Sequence, residues 1–422
     1  MCMRFILSWR QPVLGLWLIA MGSKIGMAQP VQLCDKIQSP KELLTCTAAN
    51  RMETLVQLEE VETTKFLEGI ATQRPNPEID SELWTRDTDG EPSVELTFKW
   101  LHTLLRGGKL EARKDVALAK HQLAKQQFEF TLMENTRETI IEMYNLVRLQ
   151  EEISDLKEMI GSYDRIVKAY RERQALSPEA RISVQVFTIA QHEAGARLRQ
   201  KKDEVAARQA IFEKIGIPLD QITKFLPSKW PNWPKLEKKE LKPLESSPIS
   251  NIRKALVALS EAELDIEKSE SYQDIKIGPM ASLDRSQNEQ TWGVGVALSM
   301  NIPVYNRNEA GIKYAAEKLQ SQKTLLERFQ LQLDRDYRAF IGRYETLRRE
   351  IDQLPTDEWL KKAHQQLEAE ISRGLIDASL IIEGHEQHLN IIERRNELRM
   401  RLLEALTGVY FLDGHEITEI LR

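Results

Sequence analysis

The chain has 422 residues, 29% of them charged and 7% aromatic, and a formal net charge of −5 at pH 7. Its mean hydropathy of −0.43 fits long solvated helices better than one thick core, so length alone does not count the domains. A mildly acidic balance with no basic cluster excludes nucleic acid as the partner.

Residues 1–28, ending in GSKIGMA, carry basic Arg4 and Arg10, an apolar run from Pro12 to Met21, and the small residues Gly26 and Ala28. This is the layout of a secretory signal peptide, cleaved after Ala28; the run is too short to span a bilayer as a helix. Cys34 and Cys46 survive that cleavage. In an oxidising compartment they either close a small disulfide loop or stay as two thiols near a terminus. Leu33 stands directly before Cys34, where a lipoprotein signal needs a small residue, so no lipid anchor is expected.

Residues 29–77 hold a first helix over 41–72, stopped by RPNPE. Residues 78–107 read as a β-hairpin around the turn signal DTDGEP. In its second run Val94, Leu96, Phe98 and Trp100 share one face, and Glu95, Thr97 and Lys99 the other. Residues 108–216 form a long α-hairpin. Apolar residues such as Phe130, Ile140, Tyr144, Val147 and Leu156 recur at spacings of three, four and seven and predict one helix over 109–175, roughly 100 Å long. Ser177 is then an N-cap and Pro178 the first residue of a return helix.

A Pro-rich linker follows over 217–249, with Trp230 and Trp233 expected to pack on the middle of the molecule, and then a helix over 250–271. Residues 272–305 repeat the β-hairpin. In its second strand Trp292, Val294, Val296, Leu298, Met300 and Ile302 alternate with Gly293, Gly295, Ala297, Ser299 and Asn301, the period of a strand with two different faces. Residues 306–408 repeat the α-hairpin, with one helix over 308–372, a turn at Arg373 and Gly374, and a return helix over 377–406. Residues 409–422 form a tail. Trp100 matches Ile302, Ser177 matches Gly374 and Gly216 matches Gly408, so the chain is a duplication.

The fold class is therefore mainly α with a small β part. Four strands cannot close a barrel, since the smallest need about eight, and an exposed apolar edge must be paired. Several copies must pool their strands. The second strand exceeds the ~9 to 11 residues that a tilted transmembrane strand requires. Its apolar residues, with Val94, Leu96 and Phe98, would meet lipid, and the Gly, Ala and Ser face a lumen. The long helices would then build a tube below the barrel.

RGGKLEARKDVALAK at 106–120, MNIPVYNRNEAGIKYAAEKL at 300–319, ISRGLIDASLIIEGHEQHL at 371–389 and LLEALTGV at 402–409 resemble the repeat motifs of the TolC-type outer-membrane efflux proteins. The Gly-Gly-Lys match leans toward the heavy-metal and cation branch of that family. The resemblance implies a homotrimer with a 12-stranded barrel on a 12-helix periplasmic tube, serving as exit duct for a periplasmic adaptor and an inner-membrane pump. It implies that the tips, Leu176, Ser177, Pro178, Arg373, Gly374 and Leu375, meet the adaptor. It also implies an acidic periplasmic gate, for which Glu383 has the expected position and Asp377 and Glu386 are neighbours. The first tip departs from the pattern in lacking a glycine.

No phosphate loop, nucleophile motif or paired His/Cys cluster is present, so neither an enzyme nor a cofactor is expected. His385 and His388 flank Glu386, but two ligands without a fixed third are assigned to a solvated helix face. The rival reading is a soluble periplasmic coiled-coil adaptor or spacer, which would not require four amphipathic strands at equivalent points of two repeats.

Overall fold

The computed structural model describes residues 37–421 except 89–90, 173–174, 237–246, 287–288 and 373–377. Three short helices come first: α1 (Pro40–Asn50), α2 (Met52–Thr64) and α3 (Leu67–Ala71). A β-hairpin, β1 (Glu78–Thr88) and β2 (Glu91–Leu104), leads into α4 (Lys109–Arg171), α5 (Pro178–Glu213) and the short α6 (Leu219–Lys224). The second half runs through α7 (Pro248–Glu270), β3 (Ile275–Arg285), β4 (Gln290–Met300), α8 (Glu309–Gln353), α9 (Asp357–Ser372) and α10 (Ala378–Asp413), ending in a 3-10 turn at Ile417–Leu421.

The two long helices start alike. Gly108 and Asn308 precede α4 and α8, and both are left-handed, at φ 74° and φ 60°. Asn308 is the one non-glycine with positive φ among the described residues, and its side-chain amide donates to Glu267 Oε2 at 2.7 Å. In the first repeat Lys109 is buried and bonds Asp274 at 3.0 Å, with Glu270 at 3.4 Å. Gly107 is needed because a Cβ there would lie 2.5 Å from the Tyr272 ring. Thus the RGGK segment locks the start of α4 to the end of α7, where sheet meets helices.

α4 has 63 residues, about 95 Å of helix. It packs against α5 and α7 on the return path, and α1, α2 and α3 also run along it. α8 packs against α7 and α10. The main core lies where these elements cross. Leu43, Leu44, Ile140, Met143, Tyr144, Phe212, Tyr344 and Leu402 are fully buried there, each such side chain contributing about 1.5–3 kcal/mol. The linker closes over this core: Trp230 stacks on Tyr144 at 5.5 Å and donates to Glu151 at 3.0 Å. Tyr344 donates its hydroxyl to the Pro234 carbonyl at 2.8 Å. A second core, with Leu156, Tyr163, Phe187, Ile381 and Leu389, lies nearer the tips.

Four expectations need correction. The helix expected over 41–72 is three, with breaks at Arg51 and at Lys65–Phe66; the first is sharp, since Arg51 leaves helical geometry at ψ 142°. There the Thr54 hydroxyl bonds the Ala48 carbonyl at 2.7 Å, and Asn135 of α4 donates to Thr54 at 2.7 Å. Tertiary bonds to α4 thus hold a break that local sequence does not announce. The helix expected over 308–372 breaks at Leu354, which Pro355 forces to an extended ψ of 153°. Thr356 restarts it, accepting from the Trp359 amide at 3.2 Å. β4 stops at Met300, opposite Ile275, and does not reach Ile302. The last helix continues to Asp413 instead of ending at Leu406, because Val409, Phe411 and Leu412 are buried.

Candidate functional site

The strands form one antiparallel sheet in the order β1-β2-β3-β4. Its register sorts the residues into two sheet faces. Leu83 pairs with Leu96, Leu96 with Leu283 and Leu283 with Trp292. The next row joins Phe98, Ala281 and Val294, and below it Pro279 pairs with Val296, Ile277 with Leu298 and Ile275 with Met300. This face is largely apolar along β2, β3 and β4 and carries Ile79 and Leu83 on β1, where Ser81 and Thr85 interrupt it; it is uncovered, with Trp292 78% and Val296 72% exposed. Paired residues share a side of a pleated sheet, so Val94, Leu96 and Phe98 sit on the same face as Trp292, Val294, Val296, Leu298 and Met300. A contiguous apolar patch of this kind is abnormal for a soluble surface.

The opposite face is mostly polar or small, with Trp84, Leu101 and Met280 as its large apolar residues. It carries Lys99 bonded to Glu82 and, at 3.4 Å, to Asp80. Lys276 bonds Glu78 at 2.6 Å. Toward β4 the row thins to Ser282, Gly293, Gly295, Ala297 and Ser299. Glycine at 278 serves the strand contact itself, since a Cβ there would run into the Trp100 carbonyl. β1 and β4 are the sheet's outer edges, each paired on one side.

At the other end, Ser177 caps α5 by accepting from the Ala180 amide at 3.2 Å, with Pro178 next and Leu176 before it in the turn. Arg373, Gly374, Leu375 and Asp377 lie outside the described residues. Glu383 is exposed on α10. Glu386 is held by Arg197 of α5 at 2.9 Å, and Arg197 also bonds Glu193 at 3.0 Å, so Glu386 is tied into an ion pair between the two hairpins. Cys46 is buried on α1 and disulfide-bonded; Cys34 lies outside the described residues.

The sequence reading missed an ion-pair ladder within the first α-hairpin that reaches across to the second at Glu393. Glu152 of α4 is fully buried and bonds Lys201 of α5 at 2.6 Å, and Lys201 bonds Glu393 of α10 at 3.1 Å. Arg148 joins Glu204 at 2.8 Å and Arg208 joins Glu142 at 2.6 Å. Burial works against the Lys201 ammonium, but its bonds and charge contacts with Glu152 and Glu393 outweigh this and raise its pKa. Nothing in the local pattern marks these residues among so many charges. Only the pairing of three helices does.

No protein-family model matches the chain, and no curated protein matches it in sequence. Solved structures do match it in fold. It is similar to the Campylobacter jejuni CmeC outer membrane channel at a TM-score of 0.67 and 12% identity, over 90% of this chain and 86% of that one. It is similar to the Neisseria gonorrhoeae MtrE outer membrane channel in its open state at a TM-score of 0.63 and 12% identity, over 99% of each chain. The outer membrane protein VceC from Vibrio cholerae gives 0.63 at 13% identity, over 89% of this chain and 96% of that one.

Proposed function

We propose that this chain, which has the fold of the TolC-type outer-membrane efflux channels, is itself an outer-membrane channel-tunnel. It acts as a passive exit duct of an efflux or type I secretion system. Three copies pool their sheets, β1 of one against β4 of the next, into a 12-stranded barrel. The helices continue the duct through the periplasm, where the tips meet an adaptor and the energy comes from an inner-membrane pump. The observation that carries this reading is the uncovered, largely apolar face of the four-stranded sheet. A barrel wall needs that surface against lipid, with its polar reverse in water.

The soluble adaptor or spacer reading leaves this face in water, and it also leaves both sheet edges open to aggregation. Among the described residues no helix is long and apolar enough to cross a membrane. In this reading Glu383 faces the threefold axis near the tips, and three copies of its carboxylate favour cations there. Membrane fractionation tests the proposal: the protein is expected in the outer membrane as a detergent-resistant trimer. A monomer in the soluble periplasmic fraction would overturn it.

A further inference from the structure

His385 and His388 are one turn apart on α10, and in the sequence they lack a third donor. The fold brings one from another helix. The ring of His364 on α9 lies 4.7 Å, centre to centre, from His388 and 5.4 Å from His385. The side chain of His364 is only 10% exposed, and neither ring nitrogen makes a well-formed hydrogen bond. Its Nε2 lies 3.3 Å from Oε1 of Glu158 on α4. A buried imidazole left in this state needs an explanation, and an ion is one of the few available. His364, His388, Asp155 and Glu158 all line one cavity of about 350 Å³ between α4, α9 and α10, which leaves room for an ion with water ligands.

Two imidazoles sharing one ion, with metal–nitrogen bonds of ~2.0–2.1 Å, have ring centres roughly 5 Å apart. That is the spacing of His364 and His388. As the side chains stand, no three His, Cys, Asp or Glu among the described residues are arranged to hold a metal, so the third donor must turn in. Glu158, already beside His364, is the nearest carboxylate to do so. We propose that His364 and His388 form the two-imidazole core of a site for a borderline divalent cation of the Ni²⁺, Cu²⁺ and Zn²⁺ class, completed by Glu158 and water. Nitrogen donors select these ions over Mg²⁺ and Ca²⁺. The bound cation ties α9, which follows the Pro355 break, to α4 and α10. The site is independent of the channel reading.

The test uses the full mature chain, purified in detergent and stripped with chelator, titrated with Ni²⁺ and with Zn²⁺ by calorimetry, alongside thermal unfolding. About one cation per chain is expected to bind, with a dissociation constant below roughly 100 μM and a rise in melting temperature. His364→Gln and His388→Gln should each weaken binding at least about tenfold, and Glu158→Gln less. His192→Gln, exposed on α5, should change nothing. Circular dichroism matching the parent shows that a variant is folded. Absence of Ni²⁺ and Zn²⁺ binding in that range, or unchanged binding by folded His364→Gln and His388→Gln variants, overturns the site.

Discussion

Replacing Val296 with arginine tests the two-faced sheet at its most sensitive point. β4 has 11 residues, which at ~3.3 Å each and a tilt of about 45° span roughly 26 Å of a hydrocarbon layer about 30 Å thick. Val296 lies close to the middle of that span, on the uncovered face opposite Pro279. A charge facing lipid at mid-depth costs about 2–4 kcal/mol in a barrel wall. Across three copies the sum approaches the whole stability of an ordinary domain, about 5–15 kcal/mol. Ser299→Arg places the same charge on the same strand but on the polar face, where water solvates it; its neighbour across the strand is Lys276, itself paired with Glu78, so the cost is smaller than at Val296. The assay is outer-membrane flotation combined with heat-resistant trimer on denaturing gels. Val296→Arg should lose both signals while Ser299→Arg keeps them. Equal insertion of the two variants, or loss only with Ser299→Arg, would refute the assignment of faces.

Four further outcomes are expected. Glu152→Ala leaves Lys201 with Glu393 at 3.1 Å as its remaining carboxylate and should lower stability by about 2–4 kcal/mol in urea unfolding; a midpoint equal to the parent's would contradict the ladder. Gly107→Ala should cost more than Gly108→Ala, although both glycines have positive φ, because only at 107 does the new Cβ meet the Tyr272 ring. The second change should cost about 1 kcal/mol, and equal melting temperatures would argue against the junction. Non-reducing peptide mapping should link the Cys46 peptide to Cys34 in the same chain, and a link to a second chain would exclude that pairing. Glu383→Gln should reduce cation preference in planar-bilayer recordings, and unchanged selectivity would remove Glu383 from the gate.

Much of the fold was legible because its signals are periodic. The alternation from Trp292 to Met300 and the Ser177 and Pro178 start each rest on neighbours in sequence, and the structure keeps them. The break at Pro355 was also legible, since a proline forces the preceding residue out of helical geometry, but the strong flanking periodicity masked it. The break at Arg51 was not legible, because its reason is Asn135, far away on α4. The same holds for the site residues. Spacing places His385 and His388 on one face, but it cannot bring His364 to them. Glu386 reads as a free acid until Arg197 is found beside it.

The two α-hairpins also differ mechanically. In the first, α4 runs unbroken along its full length; in the second, α8 ends at Gln353 and α9 adds 16 residues beyond the break. Those residues form a lever of about 24 Å. A bend of about 10° at Leu354 therefore displaces the far end by about 4 Å, and at the break Pro355 has no amide to donate while the Leu354 amide bonds the Ile351 carbonyl at 3.1 Å. The duplication thus yields one rod and one jointed arm, with the joint at Leu354 and Pro355.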